Sequence, residues 1–189
     1  MNIDLLKIEL QKVLSRKRYG HSIRVVETAT ELAKIYNADI EKTQIAAILH
    51  DYAKEFPREE LVNICTTHFE KETKKFLYVG QILHGFASAY IAKEKFNIND
   101  SDILNAIIYH TTGRENMSLI EKIVYIADAI EPERNYSYVN EIRDLCLIDL
   151  DQAILFETNR KIEYLISVDS IIHLDTLNMR NWLVRKKSN

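Results

Sequence analysis

Apolar positions recur at intervals of three and four along most of this chain, the spacing that falls on one face of an α-helix. The opening MNIDLLKIELQKVLSRKRYG keeps its leucines and isoleucines on one stripe with Asp4 and Glu9 set into the pattern, which reads as an amphipathic helix and not a signal peptide. Strict alternation is scarce, no Asn-Gly or Asp-Gly pair marks a hairpin, and only four glycines and two prolines break the periodic stretches. The pattern predicts an all-α protein, with helices at about 3–16, 21–36, 40–55, 58–69, 71–78, 84–96, 101–112, 118–131, 138–167 (broken near Asp149) and 175–186. Ser118-Leu119-Ile120-Glu121 has the form of a capping box, Pro132 stops the helix that follows it, and Gly113 stands where a helix C-cap would end 101–112.

Length and composition narrow the classes. A chain of 189 residues supports one full hydrophobic core, so residues 1–189 are read as a single domain with 138–189 as its helical C-terminal part. The net charge of −3 gives no overall basic field for nucleic acid, so any phosphate chemistry needs a local group of cations. No apolar run reaches transmembrane length. Cys65 and Cys146 form no CxxC pair, fit a reduced cytoplasmic protein, and are read as packing residues. An exposed apolar face on such a domain would support a homodimer.

Chemistry enters with the histidines. Four of the six, His21, His50, His84 and His110, fall at expected helix ends on apolar faces: His21 with Val25, Thr28 and Leu32, His50 one turn after Ala46, His110 after Ile103 and Ile107. Asp128 shares a face with Ile120 and Val124, and Asp51 adjoins His50. A carboxylate on such a face needs solvent, a partner or a cation. Neighbours on a helix point about 100° apart, so His50 and Asp51 both reach one ion that sits off the helix end. Inward imidazoles and carboxylates from separate helices are what a mononuclear or dinuclear metal site in a bundle requires. His68 is read as solvated, and His173 as a loop residue.

The ordered set His21, His50-Asp51, His84, His110, Asp128 resembles the HD-domain superfamily of metal-dependent phosphohydrolases. Leu49-His50-Asp51-Tyr52-Ala53-Lys54-Glu55, His110-Thr111-Thr112-Gly113-Arg114, Asp128 with Ile130-Glu131-Pro132, and His173 with Asp175-Thr176 and Arg180-Asn181 are similar to the YqeK family, from about Arg18 to Trp182. That resemblance implies an HD-type bundle and a symmetrical bis(5′-nucleosyl)-tetraphosphatase that cleaves diadenosine tetraphosphate to two ADP, with iron as the site metal. It implies that His21, His50, Asp51 and Asp128 hold the first metal and that His84 and His110 hold a second metal or the phosphates. Nucleotide contacts are implied for His21, Lys54, Glu55, Phe56, Pro57, His84, His110, Arg134, His173, Leu174, Asp175, Thr176, Leu177 and Asn178. Three positions depart from the family: Leu174 for a proline, Glu133 for a small or neutral residue, and Ser137-Tyr138 for Pro-Gly. All three lie at the expected nucleotide rim and none among the ligands.

The chemistry of such a site is hydrolysis of a phosphoanhydride by hydroxide held on a metal, which lowers the pKa of water from about 16 to about 7. Asp51, His84, His110 and Lys54 are the expected catalytic groups, and Lys54, Arg114 and Arg134 the expected phosphate cations. Histidine and carboxylate ligands suit iron, manganese and zinc alike. Two other readings stand beside this one: an HD phosphohydrolase acting on another nucleotide, and a nucleotide-binding regulator without turnover.

Overall fold

Short polar side chains set where the helices begin. Asn2, Ser15, Asp39, Asp100, Ser118 and Asp149 each accept a backbone N–H from the turn that follows, and Ser118 with Glu121 completes the capping box in both directions. The computed structural model describes residues 2–74 and 76–187, which form eleven helices and no strand. They are α1 (Ile3–Val13), α2 (Arg16–Ile35), α3 (Ile40–Leu49), α4 (Arg58–His68), α5 (Glu70–Thr73), α6 (Gly80–Phe96), α7 (Ser101–Tyr109), α8 (Leu119–Ile130), α9 (Val139–Cys146), α10 (Leu150–Ser167) and α11 (Leu174–Lys187). The all-α expectation is borne out.

Several boundaries move, each for a local reason. The expected 3–16 helix stops at Val13 because Ser15 caps a new helix at Arg16, so Gly20 and His21 lie inside α2. The expected 40–55 helix keeps α geometry only to Leu49 and then runs as tight turns, with the amides of Tyr52, Lys54 and Phe56 donating to the carbonyls of Leu49, Asp51 and Ala53. In place of a 71–78 helix stands the short α5, and Lys75 lies outside the described residues. α6 starts at Gly80, so His84 sits within a helix and not at its end. The break near Asp149 is present, with Asp149 capping α10.

Packing brings the C-terminal ends of α3, α7 and α8 to one place. α2 lies against α3 and α8, and α7 against α3, α6 and α8. Fully buried Ala29, Ala33, Ala46 and Ala47 keep side chains small in α2 and α3 and allow close approach. The same apolar cluster runs from Leu6 and Leu10 of α1 through Ile123 and Ile126 to Met179 and Leu183 of α11. A second cluster, with Leu61, Cys65, Leu83 and Phe86, joins α4 to α6. Gly85 lets α6 meet α7: a Cβ there would stand 2.7 Å from the Ile108 carbonyl oxygen. Gly113, at φ 63°, takes a left-handed conformation that only glycine adopts freely, and a Cβ there would collide with Met179 Sδ. Both cysteines are free and buried, and burial pushes the thiols up to about 11 for Cys65 and about 12 for Cys146. Among the described residues no helix is long and apolar enough to cross a membrane.

Candidate metal centre

Five helices deliver the site. His50 caps the end of α3 and Asp51 follows it, His110 caps α7, His84 comes from the second turn of α6, His21 from α2 and Asp128 from the last turn of α8. His50 is fully buried and Asp51 is 2% exposed. Asp51 stands at the centre and its two oxygens face different ways. Oδ2 lies 3.7 Å from His50 Nε2 and 4.0 Å from His21 Nε2; Oδ1 lies 2.9 Å from His84 Nε2 and 3.5 Å from His110 Nε2. Asp128 Oδ1 is 3.0 Å from His21 Nε2. Donor atoms of three sets each fall within 4.8 Å of one another: His21, His50 and Asp51; His50, His110 and Asp128; and Asp51, His84 and His110.

Backbone and carboxylate acceptors fix the tautomers. His50 Nδ1 is 2.6 Å from the Ala47 carbonyl, His110 Nδ1 is 2.7 Å from that of Ile107, and His21 Nδ1 is 3.2 Å from Glu131 Oε1. These oxygens only accept, so each Nδ1 carries a proton; His50 and His110 then present a lone pair at Nε2, whereas His21 Nε2 faces the Asp128 carboxylate at 3.0 Å, an acceptor that favours a proton on that nitrogen as well. Glu131 is itself held, by Arg24 Nε at 2.6 Å and by the Glu133 amide at 2.9 Å. Such outer partners orient metal-binding imidazoles.

The donor set fits a cation. His50 Nε2 is buried without a hydrogen-bond partner, and the buried His21 Nε2 and Asp51 Oδ1 face Asp128 Oδ1 at 3.0 Å and His84 Nε2 at 2.9 Å. His84 Nε2 and His110 Nε2 approach to 2.9 Å beside the Asp51 carboxylate, with the Lys54 ammonium 3.1 Å from His84 Nε2. Burial works to raise the pKa of Asp51, yet His50, His110 and His84 hold it well below the usual carboxylate range. Asp128 is likewise held low against burial by His21 and His50. Burial pushes His50 and His84 down to about 4, so both rings are neutral at pH 7 and free to coordinate. At His21 burial lowers the pKa, but Asp128 and Glu131 outweigh it and the net shift is upward.

A cavity of about 750 Å³ opens from this cluster, within the 300–1,000 Å³ range typical of ligand pockets. Of the residues expected at the site, His110, Asp128, Arg134, His173 and Thr176 line it. Arg134 donates to Asp128 Oδ1 at 2.8 Å and to the Asp128 carbonyl at 3.0 Å. His173 rests against Phe76, ring centroids 3.9 Å apart, and Thr176 donates to the Thr112 carbonyl at 2.9 Å. Lys54 Nζ faces the cluster, 3.1 Å from His84 Nε2 and 3.4 Å from Asp51 Oδ1.

Other expected contacts go elsewhere. Both forks of Arg114 bind the capping-box Glu121 at 2.6 Å, so this arginine braces the start of α8 and does not line the cavity. Glu55 accepts from the amide and hydroxyl of Ser15 at the head of α2, Phe56 packs into the core, and Pro57 caps α4. Leu174, 59% exposed, opens α11, and Asp175, Leu177 and Asn178 follow it without lining the cavity. Sequence reasoning missed Arg18, whose Nη1 is 3.5 Å from Asp51 Oδ2. Its position one turn before His21 was the available signal. It also gave no role to Glu131, one turn beyond Asp128, or to Tyr125, Glu157 and Lys161 on the cavity wall.

A family model described as the HD domain matches residues 18–133. The symmetrical bis(5′-nucleosyl)-tetraphosphatase of Halalkalibacterium halodurans is 41% identical over 171 residues, 90% of this chain and 91% of that protein. The chain belongs to the HD-domain family of symmetrical bis(5′-nucleosyl)-tetraphosphatases. The tetraphosphatase of the same name from Bacillus subtilis is 39% identical over 176 residues, covering 93% of this chain and 94% of its own. A protein from Clostridium acetobutylicum described as a predicted HD superfamily hydrolase involved in NAD metabolism superposes with a TM-score of 0.94 at 41% identity and 98% coverage of both chains. The resemblance carried by the His-Asp motifs is borne out.

Proposed function

We propose that this chain is a metal-dependent hydrolase that cleaves diadenosine tetraphosphate symmetrically to two ADP. The observation that carries this reading is the cluster of four histidines and two aspartates opening onto a nucleotide-sized cavity, in a chain about two-fifths identical to the symmetrical tetraphosphatases along nearly its whole length. His21, His50, Asp51 and Asp128 would hold one ion, and His84 and His110 with Asp51 a second ion or the phosphates. Iron is the proposed metal, and manganese and zinc suit the same nitrogen and oxygen donors. A bound divalent cation supplies Lewis acidity toward phosphate oxygens and toward water.

The chain's own groups do the rest. Asp51, with one oxygen toward each half of the cluster, keeps the two halves in register. Glu131 and the Ala47 and Ile107 carbonyls lock the imidazoles so that no ring must turn during reaction. Lys54 beside His84 and Arg134 beside Asp128 place positive charge on two sides of the site for a polyphosphate. Water adds across the central anhydride: a P–O bond forms to the water oxygen, the bond from that phosphorus to the bridging oxygen breaks, the bridging oxygen leaves on one ADP as an anion that needs little further stabilisation, and the proton released from water passes to solvent. The buried, unpaired cysteines fit a reducing cytoplasm.

Chelation tests the metal. Protein stripped with a chelator is expected to lose hydrolysis and to regain it when iron, manganese or zinc is restored, read by ADP release alongside elemental analysis. Full turnover in protein shown to be metal-free would refute the reading.

A further inference from the structure

The cavity wall formed by α8 and α10 carries a charged network that the cluster chemistry leaves unused. Tyr125 and Asp128 lie one turn apart on α8, and both line the cavity. Across from them α10 presents Glu157 and Lys161, again one turn apart. Lys161 Nζ donates to Tyr125 Oη at 2.8 Å and pairs with Glu157 Oε1 at 3.1 Å, and Tyr125 Oη donates to Glu157 Oε2 at 2.6 Å. Tyr125 and Glu157 are buried, while the lysine side chain keeps 29% of its surface. An ion pair sunk in a wall is a poor source of stability, because the loss of hydration offsets most of the attraction. Tyr125 and Glu157 engage two of the three ammonium N–H groups, and the ammonium also lies 4.3 Å from the centre of the Tyr125 ring. Burial disfavours the charge of Lys161, but Glu157 and Tyr125 more than offset it, so the ammonium persists at any working pH.

The substrate supplies a use for that charge. A dinucleoside tetraphosphate cut at its centre extends two phosphates and a nucleoside to either side of the reacting phosphorus, and both halves need cations. Lys54 stands on the His84 side, whereas Arg134 is tied to Asp128 and Lys161 lies beyond it along the same cavity. Tyr136 and Tyr138, rings 4.9 Å apart, and Tyr164 line the cavity near Lys161 and offer flat faces to a base. We propose that Lys161, positioned by Glu157 and Tyr125, binds the second nucleoside diphosphate half of the substrate and so makes the site prefer a two-headed nucleotide. This rests on the tetraphosphatase reading above.

Steady-state kinetics of the metal-loaded protein on diadenosine tetraphosphate tests it. Lys161→Gln is expected to raise KM by about tenfold or more, the scale of one charge-assisted hydrogen bond. Its kcat should stay within about threefold, its metal content should be unchanged, and Lys161→Arg should restore KM. Because Lys161→Gln leaves the buried Glu157 without its counter-ion, the double variant Glu157→Leu with Lys161→Met is measured beside it, with the same expectation. Unchanged KM in whichever variants fold, or a fall in kcat at constant KM, would overturn the role of Lys161. Wild-type protein that does not give two ADP would overturn the tetraphosphatase reading itself, and the assignment with it.

Discussion

Asp51→Asn is expected to abolish hydrolysis of diadenosine tetraphosphate and leave the helices in place. Each oxygen of Asp51 serves a different part of the cluster, toward His21 and His50 on one side and His84 and His110 on the other. An amide of the same shape removes the negative charge shared by both. We expect turnover to fall by more than about three orders of magnitude, the scale seen when a group that acts as part of a unit is lost. The fold should persist with a lower melting point. The folded state holds Asp51 ionised, its pKa well below the usual carboxylate range, with Lys54 Nζ at 3.4 Å and Arg18 Nη1 at 3.5 Å. Asparagine removes that contribution at pH 7, so metal-free Asp51→Asn should melt below metal-free wild type. Turnover kinetics, thermal melting and elemental analysis on the purified variant separate these statements. Retention of more than a tenth of wild-type activity would contradict the placement of the site.

Gly85→Ala should weaken both fold and activity from a position that touches no ligand atom. The new Cβ would lie 2.7 Å from the Ile108 carbonyl oxygen and 3.1 Å from that of Ile107, both backbone atoms that cannot swing aside. α6 must then back away from α7, and these two helices carry His84 and His110, whose Nε2 atoms are 2.9 Å apart. Overpacking of this kind costs about 1–3 kcal/mol. For a chain of this size a loss of about 2 kcal/mol lowers Tm by roughly 4–8 °C. A misplacement near 1 Å reduces turnover by about 10²-fold. Gly80→Ala is the control for melting, since a Cβ there meets nothing within 4 Å. If Gly85→Ala melted like wild type and turned over at the wild-type rate, close approach of α6 and α7 would not be what assembles the second half of the cluster.

Much of this was readable in the sequence because helical period and polar intrusions are both local signals. The capping box at Ser118, the stop after α8 and the left-handed Gly113 each follow from residues within a few positions. The candidate ligands stand out because His50, Asp51, His110 and Asp128 interrupt otherwise apolar faces. What the sequence hid was competition between partners. Arg114 has the chemistry to bind phosphate, yet Glu121 seven residues on takes both its forks. Glu55 beside Lys54 looks like part of the same motif, but its carboxylate meets Ser15, forty residues earlier. The end of α3 was also hidden, because Tyr52 and Ala53 continue the helical spacing while the backbone turns tighter. Lys161 and Glu157 read as an ordinary i, i+4 pair on a helix surface until α8 is seen to cover them.

The most direct test is product analysis. Metal-loaded wild-type protein incubated with diadenosine tetraphosphate should release ADP alone, two for each substrate consumed. ATP and AMP in equal amounts would place the attack at an outer anhydride and contradict symmetrical cleavage.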